Sequence, residues 1–390
     1  MVVMLFDIAI DLYALVNFCL SQDFVCFCVL LFILLGSSFL VHTFSWLWLK
    51  ADRTKIPALQ KKSVKQLAVV HFCQLEIFVR RGELFLMMIS HMSTEEKELA
   101  VFLEHDVGLL ALFESYSESC PHLVLMLTIY LQRGQLGTIN VLKTAASIFL
   151  AAFGVTLYHR CLRRFLPEKD KQPIVSSGVY LTWNFFLIGS RLLALALFAS
   201  VFPCYIVAHF LCWWMMYVFV AWRLKTNLMD TTAGEWLYRA TVALIWYFNW
   251  FNVVDSPTKK RAVLYHAFRL VDTLILCGLV TWKTHQDPLY YSGPHFYVTI
   301  CVGICFMLGL LLKVIYYKCC HPKHFKKPKT VKGAVVLSVC SLADDDLGDD
   351  LHSDSPSGAV MPQAMDRTMD TTPTRLCNER MRSQAKIFYR

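Results

Sequence analysis

Ten apolar runs, most of them long enough to cross a lipid bilayer, constrain the fold of this chain more than any other feature. A helix needs about 20 mostly apolar residues to span the hydrocarbon core. Of the 390 residues, 56% are hydrophobic and only 17% are charged, whereas soluble domains contain about 25% charged residues. The sequence therefore predicts an all-α polytopic membrane protein. The runs are residues 2–20, 24–49, 66–79, 106–131, 140–159, 177–201, 204–222, 235–252, 262–282 and 296–317.

Three loops rich in Lys and Arg, at 50–65, 160–171 and 318–332, predict the orientation of these runs. The positive-inside rule places all three loops in the cytoplasm. An even number of crossings must then separate successive loops, but three runs lie in the first interval and five in the second. The surplus disappears if the short runs 66–79 and 235–252 are re-entrant. We therefore predict eight transmembrane helices and two re-entrant hairpins, in two parallel repeats with both termini cytoplasmic.

The predicted organisation has three parts: an N-terminal membrane repeat (1–173), a C-terminal membrane repeat (174–318) and a regulatory tail (319–390). The tail changes from basic to acidic and is rich in Ser, Thr and Pro. This composition is typical of a disordered, accessible segment. Cys319 and Cys320 close the last apolar run beside several lysines, a placement that suits palmitoylation.

Motifs of soluble enzymes and of metal sites are missing from the sequence. The 15 cysteines are scattered, mostly inside apolar runs, and form no Cys-x-x-Cys pair. A Gly-rich phosphate loop, an HExxH motif and a Gly-x-Ser-x-Gly elbow are also missing. We therefore predict no metal site, no cofactor and no nucleic-acid partner. The net charge of +9 bears on orientation and on anionic lipid.

The stretch 113–132, FESYSESCPHLVLMLTIYLQ, is apolar enough to enter a bilayer but carries two carboxylates. At helical period Glu114 and Glu118 lie one turn apart on the same face. Pro121 removes a backbone donor and frees a carbonyl one turn back. A charged side chain at the bilayer centre costs about 3 kcal/mol on insertion scales. These carboxylates must therefore face a protein interior or a water-filled path.

Other charges lie at similar depth in the apolar runs, and they have two interpretations. Ion pairs across helices could fix the bundle, although buried pairs are not reliably stabilising. Alternatively, the charges could form a polar path for something charged that crosses the membrane. The pattern by itself leaves both interpretations open. The candidate intramembrane residues are Asp7, Asp11, Glu114, Glu118, Arg160, Arg191 and Asp272.

Several long motifs resemble those of the XK-related membrane protein family. They include FSWLWLKAD (44–52), FESYSESCPHLVLML (113–127) and EWLYRATVALIWYFNWFNV (235–253). The resemblance covers nearly all of residues 4–322. The seven candidate intramembrane charges match charged positions of that family.

The resemblance implies a function that the residue pattern alone does not reach. It implies an ATP-independent phospholipid scramblase, and hence no enzyme, that exposes phosphatidylserine at the plasma membrane during apoptosis. It also implies activation by an effector caspase that cuts the tail, and a single-span immunoglobulin-type partner such as basigin. The candidate cleavage residues are Asp354, which precedes the small Ser355, and the less favoured Asp349, which precedes Asp350.

Two positions depart from the family pattern. The family usually has Arg where this chain has Ala111, and Asp where it has Leu157. Both positions lie near the same end of adjacent antiparallel crossings, so we hypothesise that an ion pair has been lost at both ends together, because either charge alone would be unpaired.

Two other classes of function fit the sequence. A secondary transporter could bind ions through Asp7, Asp11, Glu114 and Glu118. A structural membrane partner of another protein would need no lipid movement at all. Lipid movement in liposomes that does not depend on ions would distinguish a scramblase from a transporter and from a structural partner.

Overall fold

The computed structural model describes residues 2–53, 76–89, 94–134, 137–165, 173–253, 258–286 and 295–320, together with Arg380 and Gln384. These residues form helices and no strand, so the predicted all-α class is confirmed. The helices are α1 (Val2–Leu20), α2 (Phe24–Arg53), α3 (Glu76–Ile89), α4 (Thr94–Glu114), α5 (Cys120–Gln132), α6 (Thr138–Phe165), α7 (Ile174–Val201), α8 (Tyr205–Arg223), α9 (Thr232–Phe248), α10 (Thr258–Gln286) and α11 (His295–Ile315).

Six helices within the described ranges are long and apolar enough to cross a membrane, and they match six of the eight predicted crossings. In α1 the apolar stretch within the described residues is Ile8–Leu20, which is shorter. The crossing predicted at 106–131 is divided between α4 and α5. The chain is thus a multi-pass membrane protein, and the count of eight stays a prediction. The six spans are Phe24–Arg53, Thr138–Leu162, Ile174–Val201, Tyr205–Arg223, Lys259–Gln286 and His295–Cys320.

The short run at 235–252 corresponds to α9, which has 17 residues and ends at Phe248. Residues 249–253 continue without regular secondary structure, and most of their side chains are buried. Non-helical backbone at membrane depth is stable only where protein covers it, and this segment meets that condition. The other predicted hairpin, 66–79, lies mostly outside the described residues, because α3 begins at Glu76.

Helix α7 is the central element of the bundle. Within its most apolar 18-residue stretch, 78% of the residues are buried. Helix α7 packs against α5, α6, α10 and α11. Small residues let the neighbouring helices approach closely. A Cβ atom built on Gly309 of α11 would lie 2.8 Å from Leu187 Cδ2 of α7, and one on Gly189 would lie 3.5 Å from Ile148 Cγ2. The α7–α11 contact therefore depends on the missing side chain at position 309.

A five-residue π-helical turn, Ser115–Ser119, separates α4 from α5 just before Pro121. The Cys120 N–H donates to the Ser115 carbonyl across this wider turn. Serine hydroxyls satisfy backbone carbonyls in the same region: Ser115 Oγ donates to Ala111 O (2.9 Å) and Ser117 Oγ to Phe113 O (2.8 Å). The break expected from Pro121 is therefore observed, and serine hydroxyls beside it bond to carbonyls one turn earlier in the chain.

Residues 1–324 and 376–390 belong to one compact unit, which does not include residues 325–375. None of residues 325–375 is among the described ones. The boundary at 173 between the two predicted repeats stays a prediction. The inclusion of 376–390 in the first unit reflects contacts that Arg380 and Gln384 make with the helices.

Candidate functional site

Polar side chains from five helices and the π-helical turn lie along α4 and α5. We call this group the polar row. Its members belong to α1, α2, α3, α4, the turn Ser115–Ser119 and α5. The polar row consists of Asp11, Ser37, Arg81, Glu114, Ser117 and His122.

The polar row is built from three side-chain contacts. Arg81 Nη2 donates to Glu114 Oε2 at 2.5 Å. The hydroxyls of Ser37 and Ser117 lie 2.7 Å apart. These two contacts connect α3 to the end of α4 and α2 to the π-helical turn.

The third contact joins α1 to α5, where His122 Nδ1 lies 2.8 Å from Asp11 Oδ1. His122 follows Glu118 by one helical turn, so it continues the face that the two glutamates begin. Glu118 itself is half-buried in the π-helical turn. The side chain of Asp7 lies outside the described residues, although its backbone belongs to α1.

Asp11 and Ser37 are buried, but other side chains of the polar row are only partly buried. The side-chain exposure is 27% for Glu114, 18% for Arg81 and 14% for His122. A group at bilayer depth can be partly exposed without great cost only if polar partners or water accompany it. The polar row is therefore reachable from the surface of the molecule.

A second set of charges lies deep in the protein. Asp272 of α10 accepts from Arg191 Nη1 at 2.5 Å, and its other oxygen lies 3.0 Å from both His209 Nε2 and Trp213 Nε1. Arg269 Nη1 lies 3.5 Å from the same carboxylate. We call this set the Asp272 network.

The Asp272 network also caps the carboxyl end of α9. Arg191 Nε donates to the Tyr247 carbonyl at 3.1 Å, and Arg269 Nη2 and Tyr265 Oη donate to the Trp246 carbonyl. The last carbonyls of a helix have no partner within the helix, and they attract cations. The two arginines therefore compensate both Asp272 and the end of a helix that stops inside the protein.

The predicted intramembrane charges thus fall into two groups. Arg191 and Asp272 are buried, with only 4% of each residue exposed, and they hold helices together. Glu114 belongs to the accessible part of the polar row, whereas Asp11, 5% exposed, is buried against His122. Arg160 joins neither group, since its described contact is a 3.3 Å hydrogen bond to Ser177 Oγ.

A third cluster lies at the end of α2, and we call it the Arg380 site. Arg380 Nη1 donates to Asp52 Oδ1 at 2.9 Å, and Nη2 donates to Asp52 Oδ2 and, at 2.7 Å, to Asp106 Oδ2. The guanidinium carbon lies 5.1 Å from the centre of the Trp48 ring. Burial opposes the charge of Arg380, but the carboxylates of Asp106 and Asp52 outweigh it and raise its pKa above the ordinary value.

Contacts of the tail extend from the Arg380 site to α9. Gln384 Nε2 donates to Tyr238 Oη at 2.8 Å. Trp48 Nε1 lies 3.3 Å from the sulfur of Met229, in the segment that leads into α9. Two tail residues therefore contact helices from both predicted repeats, α2 and α4 on one side and α9 on the other.

The Arg380 site and the polar row both lie along the continuous helical segment made of α4, the π-helical turn and α5, which we call the rod. From Asp106 to His122 the rod rises about 24 Å, at about 1.5 Å a residue. The hydrocarbon core of a bilayer is about 30 Å thick. Beyond His122, Arg133 forms an exposed ion pair with Asp23. Polar groups therefore accompany this rod over most of the thickness of a membrane.

Other predicted residues occupy less informative positions. Cys319 is exposed and Cys320 is half-buried, so the thiol of Cys319 is available at the end of the last span. Asp349 and Asp354 lie outside the described residues. Palmitoylation and cleavage both stay predictions.

The two positions that depart from the family pattern lie at the same level. A Cβ on Gly108 would lie 3.5 Å from Tyr158 Cδ2, and one on Gly154 would lie 3.9 Å from Ser115 Oγ. Helices α4 and α6 are therefore antiparallel, and Ala111 and Leu157 lie at similar heights along the helix axes. Leu157 is 47% exposed, and the ion-pair hypothesis stays a prediction.

Sequence reasoning missed several members of these clusters. His122 could have been found, because it continues the face of Glu114 and Glu118 at helical spacing. Asp106 stands at the first position of a predicted apolar run, which was another available signal. Arg380 had no signal, since an arginine in a polar tail is unremarkable until its partners are known.

The sequence of this chain is similar to those of known membrane proteins. Residues 1–322 match the family described as XK-related protein. The chain belongs to the XK-related family. It is 36% identical to XK-related protein 8 of Gasterosteus aculeatus over 397 aligned positions, covering 99% of this chain and 93% of that protein. It is 38% identical to XK-related protein 8 of Tetraodon nigroviridis, over 84% of this chain and 83% of that protein.

A relative in a mammal shows the same similarity. XK-related protein 8 of Pan troglodytes is 36% identical, with 83% of this chain and 82% of that protein aligned. The XK-related match ends at residue 322, so the Arg380 site joins family helices to a tail residue beyond the matched region.

Proposed function

We propose that this protein is a phospholipid scramblase that exposes phosphatidylserine at the plasma membrane. The observation that carries the proposal is the polar row, which is partly exposed. Together with the Arg380 site it lines α4 and α5 over most of the bilayer thickness. Membership of the XK-related family and the similarity to XK-related protein 8 support it.

A headgroup needs polar partners because it cannot cross about 30 Å of hydrocarbon unaided. Charges of both signs along α4 and α5 supply those partners in succession, while the acyl chains stay in lipid. Movement along such a row requires no ATP, and the protein is then not an enzyme. The buried Asp272 network joins α7, α8 and α10 to the end of α9, and α7 packs against α5.

We further propose that the docked tail holds a closed state. Arg380 and Gln384 tie α2 and α4 to α9, so the tail favours whichever arrangement keeps these helices in place. Cutting the chain after Asp354, or less favourably after Asp349, separates both contacts from the membrane helices. Loss of a contact made in one state only shifts the population toward the other. An effector caspase is the proposed protease.

The proposed topology has eight crossings, two re-entrant hairpins and both termini in the cytoplasm, where such a protease acts. A single-span immunoglobulin-type protein such as basigin is the proposed membrane partner. The experiment that tests the topology is cysteine labelling of intact cells at Cys319 and at an introduced cysteine in the α1–α2 turn, with labelling from outside expected only for the second.

The central experiment is reconstitution of two versions in liposomes containing fluorescent phosphatidylserine: the full chain and a chain ending at Asp354. Dithionite bleaches lipid that reaches the outer leaflet. We expect bleaching to pass one half of the label only with the shortened chain, with no dependence on a sodium or proton gradient.

Two outcomes would contradict the proposal. A dependence on an ion gradient, with accumulation of a solute, would indicate a secondary transporter. Retention of a membrane partner without any lipid movement from the shortened chain would indicate a structural role. Protein-free liposomes and liposomes with an unrelated multi-pass protein provide the baseline.

A further inference from the structure

The guanidinium of Arg380 occupies a site that has the chemistry of an organic-cation receptor. Carboxylates of Asp52 and Asp106 accept from its terminal nitrogens, and the Trp48 ring lies 5.1 Å from its central carbon. Indole is the best aromatic partner for a cation, and aromatic faces recognise quaternary ammonium ligands. The Trp48 ring lies one turn before Asp52 in α2, so it adds a second kind of contact to the cation beside the two carboxylates.

Burial makes this site sensitive to the loss of a cation. Arg80 lies close enough to act electrostatically on both carboxylates, and His105 Nδ1 lies 3.2 Å from Asp106 Oδ1. The guanidinium of Arg380 contacts both carboxylates directly. Its departure removes a charged partner from two residues that are less than 10% exposed. Loss of such a partner from a buried charge is costly, so the vacated site favours uptake of one monovalent cation.

The hydrogen bonds of the Arg380 side chain are made by its tip. Both terminal nitrogens are engaged, whereas Nε has no hydrogen-bond partner among the described residues. A site that binds only the tip can accept a compact cation in its place. The chain connected to that cation would leave by the route that the Arg380 side chain now takes.

We propose that the Arg380 site, once the tail has left it, binds the ammonium group of a phospholipid headgroup, and that Arg380 imitates this group in the closed state. The inference rests on the proposed scramblase function and names the substrate chemistry at the start of the polar row. Choline, ethanolamine and serine headgroups all carry an ammonium group. Glycerol and inositol headgroups do not, so their lipids bind more weakly.

The test measures binding without lipid movement. The full chain and the chain ending at Asp354 are purified in detergent, and the unfolding temperature is followed with three soluble probes. These are dihexanoyl phosphatidylcholine, dihexanoyl phosphatidylglycerol and choline chloride. A ligand at free concentration L that binds the folded state stabilises it by RT ln(1 + L/Kd) and so raises this temperature, and the concentration dependence gives an apparent dissociation constant.

We expect phosphatidylcholine to bind the shortened chain about tenfold more tightly than it binds the full chain, in which Arg380 occupies the site. We also expect it to bind about tenfold more tightly than phosphatidylglycerol, as for one lost charge-assisted contact. Equal effects of the two lipids, or equal effects on the two chains, would overturn the proposal. An effect of choline chloride as strong as that of the lipid would assign the site to free cations and overturn the headgroup assignment.

Two variants connect the result to the site. Asp52→Asn in the shortened chain removes a carboxylate that has lost its partner, so the protein should fold, and the preference for phosphatidylcholine should fall about tenfold. Trp48→Leu keeps both carboxylates and removes the ring. It should weaken the binding of phosphatidylcholine, but by a smaller factor than Asp52→Asn does. An unchanged preference in both variants would place the lipid elsewhere.

The inference and the proposed function can fail separately. Headgroup-selective binding with no lipid movement in liposomes would refute the scramblase and leave the cation site standing. Lipid movement with no selective binding would refute the cation site and leave the scramblase standing.

Discussion

Glu114 and Asp272 carry the same functional group but have different surroundings. Glu114 is paired once, with Arg81, and 27% of its side chain is exposed. Asp272 accepts from Arg191, His209 and Trp213 in the protein interior. A carboxylate with several donors is fixed in place, whereas one with a single partner can exchange it. The first kind holds a structure together, and the second can serve passing ligands.

Arg191→Met should lower the free energy of unfolding by about 3 kcal/mol, because it removes the 2.5 Å charged donor to the buried Asp272 carboxylate, which Arg269 contacts only at 3.5 Å. It also removes the donor to the Tyr247 carbonyl. The measurement is the unfolding temperature and the monodisperse yield in detergent. Arg160→Met is the matched control, since Arg160 is half-buried with one described contact, and it should cost about 1 kcal/mol. Equal losses would contradict the distinction.

Glu114→Gln should have the opposite profile. The folded yield should stay near that of the parent, because the partner Arg81 keeps partial access to solvent. Lipid movement by the chain ending at Asp354 should slow about tenfold, equivalent to about 1.4 kcal/mol in barrier height. Asp230→Asn, at an exposed residue in the turn before α9, is the control and should leave the rate unchanged. A normal rate for Glu114→Gln would exclude this carboxylate from the lipid path.

At the scale of elements, two helices end inside the protein for different reasons. The rod of α4 and α5 changes to a π-helical turn because Pro121 cannot donate, and serine hydroxyls satisfy nearby carbonyls. Helix α9 ends at Phe248, where Asn249 turns away and its Nδ2 donates to Tyr116 Oη at 2.9 Å. The π-helical turn and the end of α9 therefore contact each other through this hydrogen bond between side chains.

Gly309→Ala should destabilise the α7–α11 contact. A Cβ at this position would lie 2.8 Å from two atoms of Leu187 and 3.2 Å from its backbone nitrogen, and overpacking costs about 1–3 kcal/mol. Gly303→Ala on the same helix is the control, because a Cβ there meets nothing within 4 Å. Thermal unfolding in detergent compares the two. A decrease of similar size at both positions would show that helix flexibility, and not the close approach, sets the result.

At the scale of the whole molecule, the tail contacts matter because they join helices that are distant in the chain. Asp52 and Asp106 belong to α2 and α4, and Tyr238 belongs to α9. Only two tail residues are described, yet both contact these helices. A cut anywhere between residue 320 and Arg380 would separate them from the membrane helices.

Arg380→Asp in the uncut, full-length chain should cause lipid exposure without a protease. The substitution places a third carboxylate beside Asp52 and Asp106, so the tail cannot dock. Annexin binding to living cells is the measurement, with surface abundance determined in parallel. Adding Asp52→Arg should restore docking and suppress exposure, as a charge swap does when two residues interact directly. Continued exposure in the double variant, with normal folding, would count against an Arg380–Asp52 contact as the closing interaction.

The sequence by itself determined the class of this protein and most of its helices. Runs of about 20 apolar residues have few stable alternatives to helices in a bilayer, and six of the predicted crossings are found as long apolar helices. Pro121 and the spacing of Glu114 and Glu118 also indicated a polar break at depth, because these effects are local and follow from backbone chemistry.

Tertiary structure alone decided what each charge does. Helical periodicity shows which face of its own helix a residue occupies, but a partner such as Arg191 for Asp272 lies 81 residues away. For Arg380 and Asp52 the separation is 328 residues, and the tail sequence has no periodic pattern. Contacts over such distances depend on how all the helices pack together, since each packing arrangement brings a different set of charges within reach.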